Sequence, residues 1–376
     1  MNPNQNPAIQ HTPPRHPLLL SPLVLAVLAL GMSLLFQSPR LWVLVHPRPG
    51  STYCDRGLQF IRQCDSPLGT PIPDVALTWR LAPVLLAKAL GLHGYATLII
   101  PWLGLVGLLW LSARLVLLRT GDPRLAGLFA ALIGTTSATL TVTGWLGMND
   151  AWYAAALLLV AFQPGWAWLL GATLVGPWVD ERFVLALPLA LFIRARSTGS
   201  GWNRRAALAA AASGLGIFLT ARWANPLHQP TASLNEFLGQ AIAGFPHWLP
   251  WVGLGWFMGL RAAWLLVAAA LGGDWQRTDL RAAVWPALLA LAPVAVITVL
   301  AADSSRTPTM LLPLVLWGTE RLFTLHGGAF ARRTLGLLLA ANLLMPAMHV
   351  TYNRGDIINS FPLELVRWMH QPAARP

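Results

Sequence analysis

Charge is what this sequence has least of. Asp, Glu, Lys and Arg make up 11 % of its 376 residues, against about 25 % in ordinary soluble domains. Hydrophobic residues make up 55 %, and the mean hydropathy is +0.55. So little charge argues against a water-soluble fold. Lysine is nearly missing, Lys88 being the only one, and cysteine is limited to 2 residues. Also missing are GxGxxG, Walker A and HExxH patterns, and a GxSxG in a useful context. Their absence disfavours dinucleotide enzymes, ATPases, zinc proteases and serine hydrolases. The net charge of +12 does not point to nucleic acid, because its arginines lie in short loops and form no long basic arm.

What is present is a succession of apolar runs. Residues 18–36 are long enough for a first uncleaved span behind a Pro/Asn-rich lead, since a signal peptide would have a shorter core and a small-residue cleavage site. A short interfacial helix is expected at 84–90 and full spans at 95–118 and 125–146. Three shorter pieces follow, at 151–162, 166–178 and 183–193. Each is short of the roughly 20 residues that cross about 30 Å of hydrocarbon. Broken helices of this kind line cavities where protein or water satisfies the backbone. Further runs lie at 206–220, 249–271, 282–300, 310–325 and 334–350. Tryptophan, with 19 residues, suits the headgroup level of a bilayer.

Charge sets the expected topology. With Arg15 inside, alternation places Arg119, Arg124, Arg194, Arg196, Arg204, Arg205, Arg277, Arg281, Arg332 and Arg333 inside, as the positive-inside rule requires. The outside then collects Asp55, Asp65, Asp150, Asp180, Glu181 and Asp303. The expected fold is an all-α polytopic transmembrane bundle of about 10–11 spans. Its parts are a flexible cytoplasmic lead at 1–17, a membrane domain at 18–350 with periplasmic inserts at 37–94 and 221–248, and an extracytoplasmic tail at 351–376 with an interfacial helix. A bacterial inner-membrane location with a cytoplasmic N-terminus follows.

The polar insert at 39–83 gathers Asp55, Asp65, Asp74, Arg56, Arg62 and Arg80 with both cysteines. Cys54 and Cys64, outside and ten positions apart, are expected to form a disulfide closing a small loop. Two thiols without a histidine pair fall short of a zinc set. Asp150, Asp180, Glu181 and Asp303 stand at outer ends of spans, each near Arg or Asn in sequence. They are expected to converge on an outward cleft with Asp55 or Asp65. There Arg182, Arg222, Arg306 or Arg354 would hold an anionic phosphate while a carboxylate acts as base. The blander alternatives are a capping role for Asp150 and carboxylate pairing for the arginines, such as Asp303 with Arg306. Of the outer histidines, His228 beside Arg222 is the one singled out. Arg261 is the principal ionisable group that does not favour an outer end.

The layout, with GMNDAWYAAALLLVAF followed by WLLGATLVGPWVDERFVLALPLALF and an acidic first outer loop, resembles the polytopic membrane glycosyltransferases of the GT-C type. That resemblance is to architecture, and it departs from the family in placing Asp55 nearly twenty residues beyond Phe36. It implies Asp55 and Asp65 as catalytic candidates, to which the outer-end carboxylates add Asp150. Asp180, Glu181, Arg182, Arg222, His228, Asp303, Arg306 and Arg354 would bind substrate. It also implies a polyprenyl-phosphate-linked sugar donor, a glycan or lipid acceptor, contact with membrane lipids, and no certain cofactor, with room for a divalent metal ion. A transporter or flippase for an anionic or lipid-linked substrate, and an assembly subunit of an envelope complex, are the rival readings.

Overall fold

In a computed structural model the structure describes residues 21–45, 49–51, 53–68, 78–197, 203–224, 234–275, 280–301 and 303–370. Among the described residues the regular structure is helical apart from one two-stranded hairpin. Helix α1 (Pro22–Phe36) begins where Ser21 accepts the Val24 amide and Pro22 presets the first turn. The first insert supplies α2 (Leu41–Val45), α3 (Asp55–Asp65) and α4 (Leu81–Ala89). In α3 the residues Gly57, Phe60 and Cys64 fall on one face and are buried, leaving Arg62 and Asp65 on the other.

The long apolar α5 (Ile99–Thr120) follows a 3-10 turn, and Gly121 in the left-handed region ends it. Asp122 then accepts the Arg124 and Leu125 amides to start α6 (Pro123–Gly134). Helix α7 (Ser137–Gly144) is bent from α6 by 52° at Thr135 and Thr136. Hydroxyls of both threonines bond carbonyls of the turn behind them, which draws the backbone out of the helical ladder. Next come α8 (Asp150–Phe162), α9 (Trp166–Val179), α10 (Arg182–Ser197), α11 (Arg204–Ala224), α12 (Leu234–Leu260), α13 (Trp264–Trp275) and α14 (Leu280–Ala301). Helix α15 (Leu312–Leu344) is broken at Gly327, whose φ of 82° and ψ of 165° suit only glycine. The chain closes with β1 (Ala347–Thr351), β2 (Arg354–Ile358) and α16 (Phe361–His370).

Three stretches are long and apolar enough to cross a membrane: Gly94–Thr120, Arg204–Ala224 and Leu238–Gly272. The bent pair α6 and α7 makes a fourth if it counts as one span. The expected last span at 334–350 needs correction. Its helix stops at Leu344, and Ala347–Thr351 is a strand paired antiparallel with Arg354–Ile358. Val350 and Thr351 are β-branched and suit a half-buried pleat, which the hydropathy of the run concealed.

One continuous apolar core joins α1, α5, α6, α8, α10, α13 and α15. Arg261, fully buried, lies in this core at the break between α12 and α13. Its guanidinium donates to the carbonyls of Asn342 (2.5 Å) and Thr135. Both lie at helix C-terminal ends, where a cation answers the loose carbonyls and the macrodipole. The exception in the sequence is thus a helix-end clamp.

Polar groups segregate to the two ends of α8. At its C-terminal end Arg194 donates to the carbonyls of Val160 and Gln163, Arg119 donates to that of Phe162, and Arg119 pairs with Glu320 at 3.2 Å. Asp122 and Arg332 pair on the same helices, α5–α6 and α15. The other end carries the candidate site.

Candidate functional site

Asp150 opens α8 but does not cap it, since no side-chain capping bond forms at Asn149 or beyond. Its carboxylate turns inward instead. Oδ1 accepts from Arg182 Nη2 at 2.7 Å and from Arg306 Nη2 at 3.0 Å, and Oδ2 accepts from Arg306 Nη2 at 2.9 Å and from the Thr141 hydroxyl at 3.4 Å. Each arginine then reaches a second acid. Arg182 binds Asp180 through two nitrogens at 2.8 and 2.7 Å, and Arg306 binds Asp303 at 2.6 Å. Asp180 passes the network to Arg80 at 3.1 Å, Arg80 to Glu181 at 3.3 Å, and Glu181 to Arg222 at 3.9 Å.

Chain topology explains the convergence. Helices α8 and α10 run parallel with α9 returning between them, so the starts of α8 and α10 and the end of α9 share one level. The turn after α14 brings Asp303 and Arg306 to that level, and Arg222 ends α11, which packs against α9. Gly214 makes that last packing close: a Cβ there would lie 2.5 Å from the Thr173 carbonyl oxygen.

Burial grades along the network. The Asp150 and Arg306 side chains are 1 % and 2 % exposed, whereas that of Arg222 is 42 % exposed. Burial alone would push the Asp180 carboxyl up, but Arg182 and Arg80 outweigh it and hold it far below the usual carboxylate range. Likewise burial opposes, and Arg306, His349 and Arg56 overcome, so that the Asp303 carboxyl is held low. Asp150, Asp180, Glu181 and Asp303 balance Arg80, Arg182, Arg222 and Arg306 in charge. Carboxylates engaged in this way are poor bases and good rigid struts.

His349 on β1, one of the outer histidines passed over in the sequence in favour of His228 because a lone histidine is more often a packing residue, completes the inner side. Its Nε2 lies 3.7 Å from Asp303, its Nδ1 2.9 Å from the Ser305 hydroxyl, and its ring 4.4 Å from that of Trp145. Burial lowers its pKa to about 4, so it is neutral near pH 7. Ser305, His349 and Asp303 imitate a hydrolase set, but the Ser305 hydroxyl is buried and receives the Val350 amide at 2.9 Å. It is not presented to a substrate.

An apolar cavity of about 480 Å³ is walled by α4, α8 and α9 through residues including Leu85, Trp152, Val175 and Trp178. Leu81 and Val179 line it, and each is the chain neighbour of a network residue, Arg80 and Asp180. Arg222 lies over the Trp79 ring at 5.4 Å. Arg80 was legible as an insert arginine but not as part of the site.

The other expected site residues divide. Asp55 accepts the Gly50 amide at 2.8 Å and begins α3, whose Arg56 carbonyl and Gly57 backbone meet Gly147, just before Asp150. Asp65 is exposed at the far end of α3. Arg354 pairs with Asp356 at 3.8 Å on the hairpin, outside the network. His228, Arg48 and Asp74 lie outside the described residues.

The disulfide expectation is overturned: Cys54 and Cys64 are free and buried. Cys54 caps the start of α3 and Cys64 lies near its end. Ten residues of helix separate them by about 15 Å, whereas bridged Cα atoms stand within about 7 Å. Among the described residues no group of three His, Cys, Asp or Glu could hold a metal ion.

Compared with protein-family models, with curated proteins and with solved structures, the chain matches none.

Proposed function

We propose that the chain is a multi-pass bacterial inner-membrane enzyme that transfers a sugar from a polyprenyl-phosphate donor to an envelope glycan or lipid, in the manner of GT-C glycosyltransferases. One observation carries the reading: an apolar cavity of about 480 Å³ whose lining residues Leu81 and Val179 are the chain neighbours of Arg80 and Asp180 in an arginine-carboxylate network. A lipid phosphate needs that combination, a dry wall for the prenyl chain and guanidinium groups for the phosphate. In this reading the shorter apolar helices cross together with the long ones, giving about 10–11 crossings with the N-terminus cytoplasmic.

The chemistry follows from charge. The bond from the sugar C1 to the phosphate oxygen breaks, and a bond from C1 to an acceptor oxygen forms. The departing polyprenyl phosphate gains negative charge, which Arg80 and Arg222 offset. The acceptor proton goes to a carboxylate, and Asp55 is the one assigned. It stands on the helix that covers the site and, unlike Asp150, Asp180 and Asp303, is not locked to arginine in the network.

The test uses purified full-length chain in nanodiscs with a radiolabelled polyprenyl-phosphate sugar and undecaprenyl phosphate as competitor. Arg80→Gln and Arg222→Gln should weaken donor binding, and Asp55→Asn should abolish transfer while binding persists. Wild-type donor binding unaffected by either arginine change would overturn the site. A flippase is the second reading, favoured by the full engagement of the network carboxylates, and it is supported if donor binds, no sugar is transferred, and a fluorescent prenyl phosphate crosses the bilayer.

A further inference from the structure

A second pocket lies apart from that network, between α2 and α16. It encloses about 230 Å³ and is lined by Arg40, Trp42, Tyr53, Glu364 and Arg367. Arg40 sits just before α2, only 7 % exposed. Its guanidinium lies 4.1 Å from the Tyr53 ring centroid and 5.1 Å from that of Trp145, and it donates to the Ile357 carbonyl at 3.4 Å. Its Nε has no hydrogen-bond partner, and no carboxylate stands within ion-pair distance of Arg40 among the described residues. A buried cation without a counter-ion is costly, and such a residue in a pocket wall points to an anion from outside.

The rest of the pocket narrows the choice. Arg367 adds a second guanidinium that is 65 % exposed, and Glu364 adds a carboxylate that is 3 % exposed. Glu364 accepts from Asn359 at 2.5 Å and from Arg367 at 3.4 Å. Asp356, close by, is taken by the Tyr53 hydroxyl at 2.8 Å and by Arg354 at 3.8 Å. The lining residues therefore carry one net positive charge, which suits a singly charged phosphodiester. Glu364 offers an acceptor for a hydroxyl on the same ligand. Helix α16 tells where the ligand comes from. Phe361, Leu363, Val366 and Met369 are exposed on it while Glu364 faces inward. An amphipathic helix of that kind lies along the headgroup boundary of a bilayer.

We propose that this pocket binds the headgroup of an anionic phospholipid, with the phosphodiester on Arg40 and Arg367 and a headgroup hydroxyl on Glu364. It would hold the C-terminal helix against α1 and α2 in a lipid-dependent way. The proposal does not rest on the donor site.

The experiment titrates full-length detergent-solubilised chain with dioctanoyl phosphatidylglycerol, dioctanoyl phosphatidylcholine and glycerol 3-phosphate, reading tryptophan fluorescence. Phosphatidylglycerol should saturate one site, with the other two probes at least about tenfold weaker. Arg40→Gln and Arg367→Gln should each weaken it by about tenfold, the loss expected of one charge-assisted contact. Equal binding of the two lipids, or wild-type affinity in both variants, overturns the proposal. Glycerol 3-phosphate binding as tightly as phosphatidylglycerol would assign the pocket to a soluble phosphate and overturn the lipid assignment. If Arg40→Gln does not yield folded protein, the exposed Arg367 decides alone.

Discussion

Asp150 and Arg306 are 156 residues apart in the chain and 2.9 Å apart in the fold, each almost wholly buried. Breaking one side of such a pair leaves a charge stranded in low dielectric, at a cost of about 3–5 kcal/mol. Asp150→Asn and Arg306→Gln should each lower stability by that order, followed by tryptophan fluorescence in mixed-micelle unfolding. The double variant should lose clearly less than the sum, because the second change removes the stranded partner. Additivity within about 0.5 kcal/mol would mean that the two do not act as a pair.

The same network makes the fold acid-sensitive, and the direction can be worked out. His349 titrates near 4 in the folded chain against an ordinary 6.5, so the unfolded chain takes the proton first as pH falls. Stability fully present above 6.5 is then lost between 6.5 and about 4, by at most about 3 kcal/mol. Asp303 and Asp180, also held low, add a loss of the same sign below their ordinary value of 3.8. Groups facing His349 are Asp303, Arg306, Asp356 and Asp150. His349→Gln, whose amide can still meet Ser305, should flatten the upper window and leave the lower one. An unchanged slope from pH 7 to 5 in that variant would show that another group carries it.

Both thiols should be present and hidden. Burial pushes the Cys64 thiol up to about 12, with Asp65 adding to it, and a protonated buried thiol is unreactive. A maleimide at pH 7.5 should label neither cysteine in the folded chain. After denaturation without reductant it should label both, read by intact mass. A denatured, unreduced chain that takes no label would restore the bridge.

The seating of α3 over the site depends on two glycines. Gly147 has a φ of 74°, and a Cβ there would stand 2.7 Å from the Gly57 Cα. A Cβ on Gly57 would stand 2.3 Å from the Leu146 Cβ. Gly57→Ala or Gly147→Ala should lift α3, and limited trypsin digestion should then cut at Arg56 and Arg62 faster than in wild type. Cutting at the wild-type rate would show that α3 is seated by other contacts.

Much of this was legible in the sequence. Runs bounded by Gln163-Pro164-Gly165 and by Asp180-Glu181-Arg182 mark helices that the fold ends within a few residues of those breaks. Asp150, Asp180, Glu181, Asp303, Arg182, Arg222 and Arg306 do come together, but as mutually paired charges, the blander of the two expectations, and Asp55, Asp65 and Arg354, expected in the same cleft, stand outside that network. What the sequence could not reveal was partner choice. Arg80 looked like one loop cation among several, and His349 was set aside among the outer histidines because the β-pairing of its run depends on Arg354–Ile358 arriving opposite it. The cysteine spacing misled because it was read as a loop, whereas the buried face Gly57, Phe60 and Cys64 makes it a rigid helix. Arg40 carried no local signal, since its partners are the rings of Tyr53 and Trp145 and the hairpin carbonyl of Ile357.

The apolar cavity offers the most direct separation of structure from use. Val175 and Leu85 line it and are each 50 % exposed, so neither anchors the core. A larger side chain at such a position costs little packing, unlike overfilling of a closed interior, which costs about 1–3 kcal/mol. Val175→Trp should therefore leave the unfolding midpoint close to wild type. It should also fill the space that a prenyl chain would need, lowering affinity for undecaprenyl phosphate by about tenfold, since burying each methylene contributes about 0.8 kcal/mol. Val175→Ala, which enlarges the cavity, should keep binding. Arg80→Gln tests the other half of the same ligand, because it leaves the apolar wall intact and removes a phosphate partner. If Val175→Trp binds the lipid phosphate as wild type does while Arg80→Gln loses it, the prenyl chain lies elsewhere and the cavity is not its seat.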